Sequence, residues 1–296
     1  MLFRSLPRSW PWAETLLTAF QRLRALPARS QETLEREGES VADWMITAGQ
    51  WQVEHRIKRS QIDAAVRLRS DRLTGWAASS AALYTMGSEI PSDNLSQVLG
   101  KVAAVDSLYN AQVGRVLAAA QWILKLETSG ELRDTTASPI DLVERIAGLD
   151  GRSAEGCQVF ASKYAHFCVD PQRFAIFDKY AARALLAHWG RDETLLEGAD
   201  RYRKFCHILD RVLSESGLND CAYGEVDPYL WLSGVYREWV RATRGRRSPQ
   251  ILTECRVLFE NHFHEQDDIR ALLSQMAPHE WFFETITSRR PLSRRE

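Results

Sequence analysis

Two helical patterns separated by a proline constrain the middle of this sequence more than any other feature. Apolar and aromatic side chains recur at three- and four-residue steps over 160–168, which predicts a helix ending near Phe167. Pro171 cannot continue that helix, because its ring removes a backbone donor and disfavours helical geometry before it. Asp178 then stands where an N-cap is expected, ahead of the Ala/Leu-rich run 180–186. The pattern predicts a helix, a short turn and a second helix.

Lys163 and His166 lie on one stripe of the first predicted helix, next to its apolar stripe. Side chains three residues apart project from the same side of a helix. We therefore expect the amine and the imidazole to project together, in the segment that leads to Asp178.

The remaining patterning predicts an all-α chain with few or no strands. Alternation of apolar and polar residues never extends beyond a few positions, whereas helical periodicity recurs along the 296 residues. Breaks in this pattern predict an N-terminal helical region at 1–90, a core at 91–245 and a C-terminal helical region with a basic tail at 246–296. Within the core, Asp227 followed by Pro228 predicts a helix start, with the proline at the first helical position.

The composition is that of an ordinary globular protein, with 45% hydrophobic and 26% charged residues. A net charge of −1 gives no overall attraction to nucleic acid, so any DNA-binding face has to be a local patch. The five cysteines include no CxxC pair, which indicates a reducing compartment. No apolar run approaches the ~20 residues of a membrane-spanning helix, and no secretory pattern follows Met1. We therefore expect a cytoplasmic protein with no membrane partner.

Residues 139–189 resemble the helix-hairpin-helix DNA glycosylases, especially their 8-oxoguanine-glycosylase-like branch. The similarity rests on a short helix before the glycine-bearing link 150–156, on the helix that carries Lys163, and on Asp178 after the apolar tetrad 174–177. It implies a helix-hairpin-helix glycosylase-like core and an enzyme that hydrolyses the N-glycosidic bond of a flipped base. The link departs from the tight Gly-x-Gly form of the family.

Asp178 is the candidate catalytic carboxylate. Cleavage of an N-glycosidic bond builds positive charge on the sugar, which a nearby carboxylate can stabilise while it activates the incoming water. Apolar neighbours strengthen such a field by excluding solvent. The alternative is a plain N-cap, which contributes about 1 kcal/mol to a helix, and one aspartate can do both.

Lys163 is the second catalytic candidate. Lyase-competent members of the family carry a lysine in this helix, and its amine attacks the sugar to form a Schiff base. Lys163 lies 15 residues before Asp178, closer by about one helical turn than in the family. It could instead pair with Asp178 or bind a phosphate. We therefore expect a monofunctional enzyme that uses water.

Contact with DNA is predicted at three places. Asn110 and its neighbours resemble the asparagine-bearing segment that fills the gap left by a flipped base, with a helix-surface amide as the alternative. A helix N-terminus after Gly151 could bind a phosphate. His166 could face the substrate, although a hydrogen-bonded structural histidine is the commoner case. The predicted substrate- and DNA-binding residues are Asn110, Gln112, Tyr109, His166, Gly151 and Arg152.

The expected partner is double-stranded DNA containing a modified base, bound by a monomer without cofactor or metal. The resemblance points to an oxidised purine. The departures at the hairpin and at Lys163 suggest instead a hypermodified base in foreign DNA, including phage genomes, with a role in antiviral defence. His262, His264 and Glu265 lack a further ligand at convincing spacing, so we predict no metal site there.

Two other classes of function remain open. Arg183 and His188 have an Arg-x4-His spacing similar to that of the helical HEPN ribonucleases. A looser instance at Arg256 and His262 shows how easily such a pattern arises by chance. The third possibility is a helical DNA-binding or scaffold protein without enzymatic activity.

Overall fold

The computed structural model describes residues 53–111, 113–148, 157–190, 196, 198, 200–245, 248–261 and 267–277. Over these residues the chain is mostly helical and contains no strand, which confirms the predicted all-α class. None of the described helices is long and apolar enough to cross a membrane. The helices are α1 Arg59–Arg72, α2 Thr74–Glu89, α3 Leu95–Tyr109, α4 Val116–Thr128, α5 Pro139–Ala147, α6 Gln158–Cys168, α7 Lys179–Trp189, α8 Arg201–Glu215, α9 Tyr223–Arg244, α10 Thr253–Asn261 and α11 Asp267–Met276, with a 3₁₀ turn at Glu131–Arg133.

Helix α6 is the most deeply buried element around the candidate site. Nine of its eleven residues are buried, so the stripe with Lys163 and His166 is covered as well as the apolar stripe. The helix packs against α2, α3 and α5. A β-carbon at Gly87 of α2 would overlap the carbonyl oxygen of Phe167, which shows how closely the two backbones approach. The predicted end near Phe167 is confirmed, since α6 ends at Cys168.

Helices α7 and α9 also pack closely. A β-carbon at Gly234 of α9 would overlap the carbonyl oxygen of Tyr180 on α7, so this crossing requires glycine. Helix α7 ends at Trp189, and Gly190 after it adopts the left-handed conformation (φ 71°) typical of a residue that follows a helix. The tight crossing sets the position of α9 against the N-terminus of α7.

The predicted helix start at Asp227 is wrong. Helix α9 begins at Tyr223, and Pro228 lies inside it. A proline in a helix interior leaves the carbonyl four residues earlier, here that of Gly224, without its helical donor. Packing of α9 against α7 and α1 outweighs this local preference.

All described residues belong to the unit Val53–Glu296, so predictions for residues before 53 lie outside the described chain. Helix α1 packs against α9 and α11. The domain boundaries placed after residues 90 and 245 stay predictions.

Candidate functional site

Asp178 is the N-cap of α7, as the sequence predicts. Its Oδ1 accepts hydrogen bonds from the backbone N–H groups of Tyr180 and Ala181, each at 2.9 Å. The apolar tetrad before it is buried, and the Phe177 N–H donates to Ser162 Oγ of α6 at 3.0 Å. One carboxylate oxygen of Asp178 is thereby fixed by the helix, while Oδ2 faces α6.

Lys163 and Asp178 form a buried ion pair. The distance between Lys163 Nζ and Asp178 Oδ2 is 3.5 Å, and the two residues are only 4% and 7% exposed. The same ammonium group donates a hydrogen bond of 3.0 Å to the carbonyl oxygen of Tyr109. Lys163 therefore joins the cap of α7 to the C-terminus of α3. This is the pairing that the sequence analysis left open as an alternative to amine attack.

The turn after α3 presents Asn110 to solvent. Asn110 is exposed and has a left-handed backbone (φ 45°), the single described non-glycine residue with positive φ. Asp106 holds the turn, because its Oδ1 accepts from the Val113 N–H at 2.8 Å. Gln112 lies outside the described residues. The predicted gap-filling residue is thus adjacent to Tyr109, whose carbonyl contacts Lys163.

Asp227 is a member of this site that the sequence analysis missed. Gly224, one turn before it, lies near the ring of His166, and Trp231, one turn after it, lies 6.0 Å from the ring of Tyr180. These positions share one face of α9, so Asp227 lies between α6 and α7. It is 8% exposed, and no described residue donates a hydrogen bond to its carboxyl. A lone acid within the otherwise apolar run around Leu230 was the available signal.

The electrostatic environment of Asp227 is unusual for an aspartate. Burial, with a further contribution from the negative charge of Asp178, raises the pKa of Asp227 to about 7. The positive charges of Arg69 and Lys163 oppose that shift. The carboxyl of Asp227 therefore stays protonated to a higher pH than the carboxyl of an ordinary aspartate.

Aromatic rings lie close to the cluster, and Lys163 Nζ is 5.7 Å from the centroid of the Tyr109 ring. Trp76 and Trp231 lie with ring centroids 4.1 Å apart, and Trp76 Nε1 donates to the Tyr109 hydroxyl at 3.1 Å. The Arg69 guanidinium lies 5.6 Å from the Trp76 ring. Flat apolar rings beside charged groups can stack on a base, although here the two indoles also stack on each other.

His166 is enclosed by protein. Its side chain is 0% exposed, Nε2 is 2.8 Å from the Tyr84 hydroxyl, and Nδ1 is 2.7 Å from the carbonyl oxygen of Phe174. Burial lowers the pKa of His166 to about 4. The geometry is that of a structural histidine connecting α6, α2 and the segment before Asp178, and it gives no support to the prediction of substrate contact.

Arg183 and His188 interact with different partners. Arg183 Nη1 pairs with Glu238 Oε2 at 2.6 Å. His188 is 0% exposed, and its two ring nitrogens lie 2.7 Å from the carbonyl oxygen of His55 and 2.7 Å from the Tyr229 hydroxyl. Burial lowers the pKa of His188 to about 4. This arrangement does not favour ribonuclease chemistry at the pair.

Several predictions concern residues outside the described chain. Gly151 and Arg152 belong to this group, as do the histidines at 262 and 264 with Glu265. Among the described residues, no group of three or more His, Cys, Asp or Glu side chains is placed to hold a metal ion.

A polar pocket of about 320 Å³ lies apart from these residues. It is lined by Gln172, Asp210, Leu213, Leu218, Asn219, Cys221, Ala222 and Tyr223. The Tyr223 hydroxyl donates to Asp210 at 2.5 Å inside it. None of its lining residues belongs to the Lys163, Asp178 and Asp227 cluster.

The fold and the site define an all-α protein with a buried lysine–carboxylate cluster at a helix N-terminus. Residues 54–173 match the model of the HI_0787_N family, which is described as an N-terminal domain. This match covers less than half of the 296 residues, includes Lys163 and ends before Asp178. No curated protein and no solved structure matched the chain.

Proposed function

We propose that the protein is a DNA glycosylase that hydrolyses the N-glycosidic bond of a flipped, modified or damaged base, with Asp178 as its catalytic carboxylate. One observation carries the proposal. The Lys163 ammonium joins Asp178 to the Tyr109 carbonyl, so the candidate carboxylate and the turn with exposed Asn110 are parts of one connected site. The resemblance supplies the reaction class.

Asp178 stabilises the positive charge that develops on the sugar as the base departs. Its Oδ1 is held by two N–H groups of α7, so the carboxylate needs no rearrangement when the charge appears. Water attacks the sugar carbon, and its proton passes to the carboxylate. The apolar tetrad and the aromatic rings exclude other solvent, which strengthens the interaction.

Lys163 acts as a positioning residue in this proposal. Its side-chain nitrogen donates to the Tyr109 carbonyl and pairs with Asp178, and these two contacts hold it in place instead of directing it at a sugar. Water is therefore the nucleophile, and the enzyme is monofunctional. Asn110, exposed at the neighbouring turn, fills the gap in double-stranded DNA when the base is flipped, a step that costs a few kcal/mol.

The substrate is either an oxidised purine or a hypermodified base of foreign DNA. The first follows from the resemblance, and the second from the departures at the hairpin and at Lys163. Release of free base from oxidised-purine DNA, with none from hypermodified phage DNA, would exclude a role in defence.

Mass spectrometry of small molecules released from a panel of DNAs tests the proposal. The panel runs from oxidised oligonucleotides to genomes with modified cytosines, and Asp178→Asn is the decisive variant. Asparagine caps a helix as well as aspartate does, so this change removes the charge and keeps the cap, although Lys163 loses its ion-pair partner; thermal unfolding checks that the variant is folded. Asp170→Asn, in the preceding turn, is the matched control. A free base released by the unmutated protein and by Asp170→Asn, but not by Asp178→Asn, is the expected result. RNA cleavage that survives Asp178→Asn would contradict it.

A further inference from the structure

Asp227 is a buried carboxyl whose charge interacts with those of Asp178 and Lys163. It is 8% exposed, and no described residue donates a hydrogen bond to it. On the same face of α9, Gly224 lies near the His166 ring of α6 and Trp231 lies near the Tyr180 ring of α7. Buried polar groups almost always have a partner, and those that do not call for an explanation. A carboxyl held ready for a ligand is one such explanation.

We propose that Asp227 is the general acid of the site, which gives its proton to the departing base while Asp178 faces the sugar. This inference rests on the proposed glycosylase function and adds a second catalytic residue to it. Two carboxyl groups in one site take different roles when their surroundings favour different protonation states.

The surroundings of Asp178 and Asp227 differ in their hydrogen-bond donors and in their nearby charges. Asp178 accepts two backbone N–H hydrogen bonds and lies 3.5 Å from the Lys163 ammonium. Asp227 has no hydrogen-bond donor among the described residues, and burial together with the charge of Asp178 raises its pKa to about 7, against the opposing positive charges of Arg69 and Lys163. A protonated carboxyl is a donor, so it can bind an acceptor atom on the base.

Each element packed around Asp227 contributes titratable or charged groups. Burial and the charge of Asp227 also raise the pKa values of the tyrosines on α2 and α3, so neither phenol competes as an acid at neutral pH. The groups are Arg69 of α1, Tyr84 of α2, Tyr109 of α3, Lys163 of α6 and Asp178 before α7, with His166 of α6 beside the neighbouring Gly224.

The step conserves atoms and charge. The bond between the sugar carbon and the base nitrogen breaks, and its electron pair stays on the base, which takes the proton of Asp227. Water adds its oxygen to the sugar carbon and loses a proton to Asp178. Return of that proton to Asp227 through solvent restores the site. The products are a neutral free base and a sugar hydroxyl.

The first experiment measures base release under single-turnover conditions from pH 5.5 to 9, on the panel DNA that gives release. The unmutated protein is expected to lose rate about tenfold per pH unit above about pH 7, as Asp227 loses its proton. Asp227→Asn, which keeps the shape without the acidic proton, should be slower by about a hundredfold at pH 6 and show no alkaline decline. Asp63→Asn, an exposed change on α1, should behave like the unmutated protein.

The second experiment needs no substrate. In ¹³C NMR of aspartate-labelled protein, one carboxyl carbon should titrate near pH 7 and be absent from Asp227→Asn. Titration of every aspartate below pH 5 would overturn the inference. So would an Asp227→Asn enzyme with the unmutated rate and pH profile, while the glycosylase proposal would stand if Asp178→Asn were inactive. Release of no base from any DNA would overturn both.

Discussion

Gly234 lies against the carbonyl oxygen of Tyr180 with no room for a β-carbon between them. Because Asp227 and Trp231 share the face of α9 that carries Gly234, this contact sets their position relative to Asp178 at the N-terminus of α7. The crossing of two helices thus determines the geometry of the candidate site.

Gly234→Ala should lower the free energy of unfolding by about 3 kcal/mol or more, since backbone on both sides prevents relaxation. Gly100→Ala is the matched control, because Gly100 is exposed within α3 and nothing lies near its missing β-carbon. Gly100→Ala should raise the free energy of unfolding by about 0.5–1 kcal/mol, because alanine has the higher helix propensity. Urea denaturation measures both, and equal effects of the two substitutions would contradict the packing argument.

Borohydride treatment of the protein with its DNA substrate should trap no covalent protein–DNA complex. The Lys163 side chain is engaged by Asp178 and by the Tyr109 carbonyl, so we expect no Schiff base for borohydride to reduce. A lyase-competent glycosylase serves as the positive control. A complex formed by the unmutated protein and lost in Lys163→Gln would show that the amine attacks after all.

Asn110→Gly should separate folding from DNA binding. Glycine adopts the left-handed conformation of this position freely, so the free energy of unfolding should change by less than about 1 kcal/mol. Base release from duplex DNA should fall about tenfold or more, because no side chain fills the gap. Release from single-stranded DNA of the same sequence should not change. An equal loss of base release from duplex and single-stranded DNA would show that Asn110 does not act by filling the gap in the duplex.

Asp227→Asn should stabilise the protein above neutral pH. The folded pKa of Asp227, about 7, exceeds the unfolded value of about 3.9, so its stabilising contribution is complete below pH 4. That contribution is lost as the pH rises to 7, and it stays lost above. The variant should therefore exceed the unmutated protein in free energy of unfolding at pH 8, by up to about 4 kcal/mol. No difference between pH 4 and pH 8 would show that the carboxyl is ionised at both.

Acid should destabilise the fold through His188. The folded pKa of about 4 lies below the unfolded value of about 6.5. Its stabilising contribution is therefore present above pH 6.5 and is lost as the pH falls to 4, by up to roughly 3 kcal/mol. His166 should add a similar loss. Urea denaturation measures the free energy of unfolding. Between pH 6.5 and 4.5 this free energy should fall less steeply in His188→Gln than in the unmutated protein. Equal slopes in the two proteins would mean that this imidazole does not change its protonation on unfolding.

Local sequence signals predicted the helices that hold the site and the role of Asp178 as a cap. Periodicity around Phe160 and the proline at 171 suffice for this, because helix ends depend on residues only a few positions apart. The same local reasoning failed at Pro228, where packing of α9 outweighs the preference of proline for a first helical turn.

The sequence by itself therefore determined an all-α chain and a capped α7, since both depend on contacts between residues near each other in the chain. Only the tertiary structure decided that Lys163 pairs with Asp178 and that Asp227, 49 residues further on, lies beside them. Helical periodicity does not predict which faces of distant helices are in contact. The charge state of a buried carboxyl depends on those contacts, because it is set by desolvation and by the charges around it.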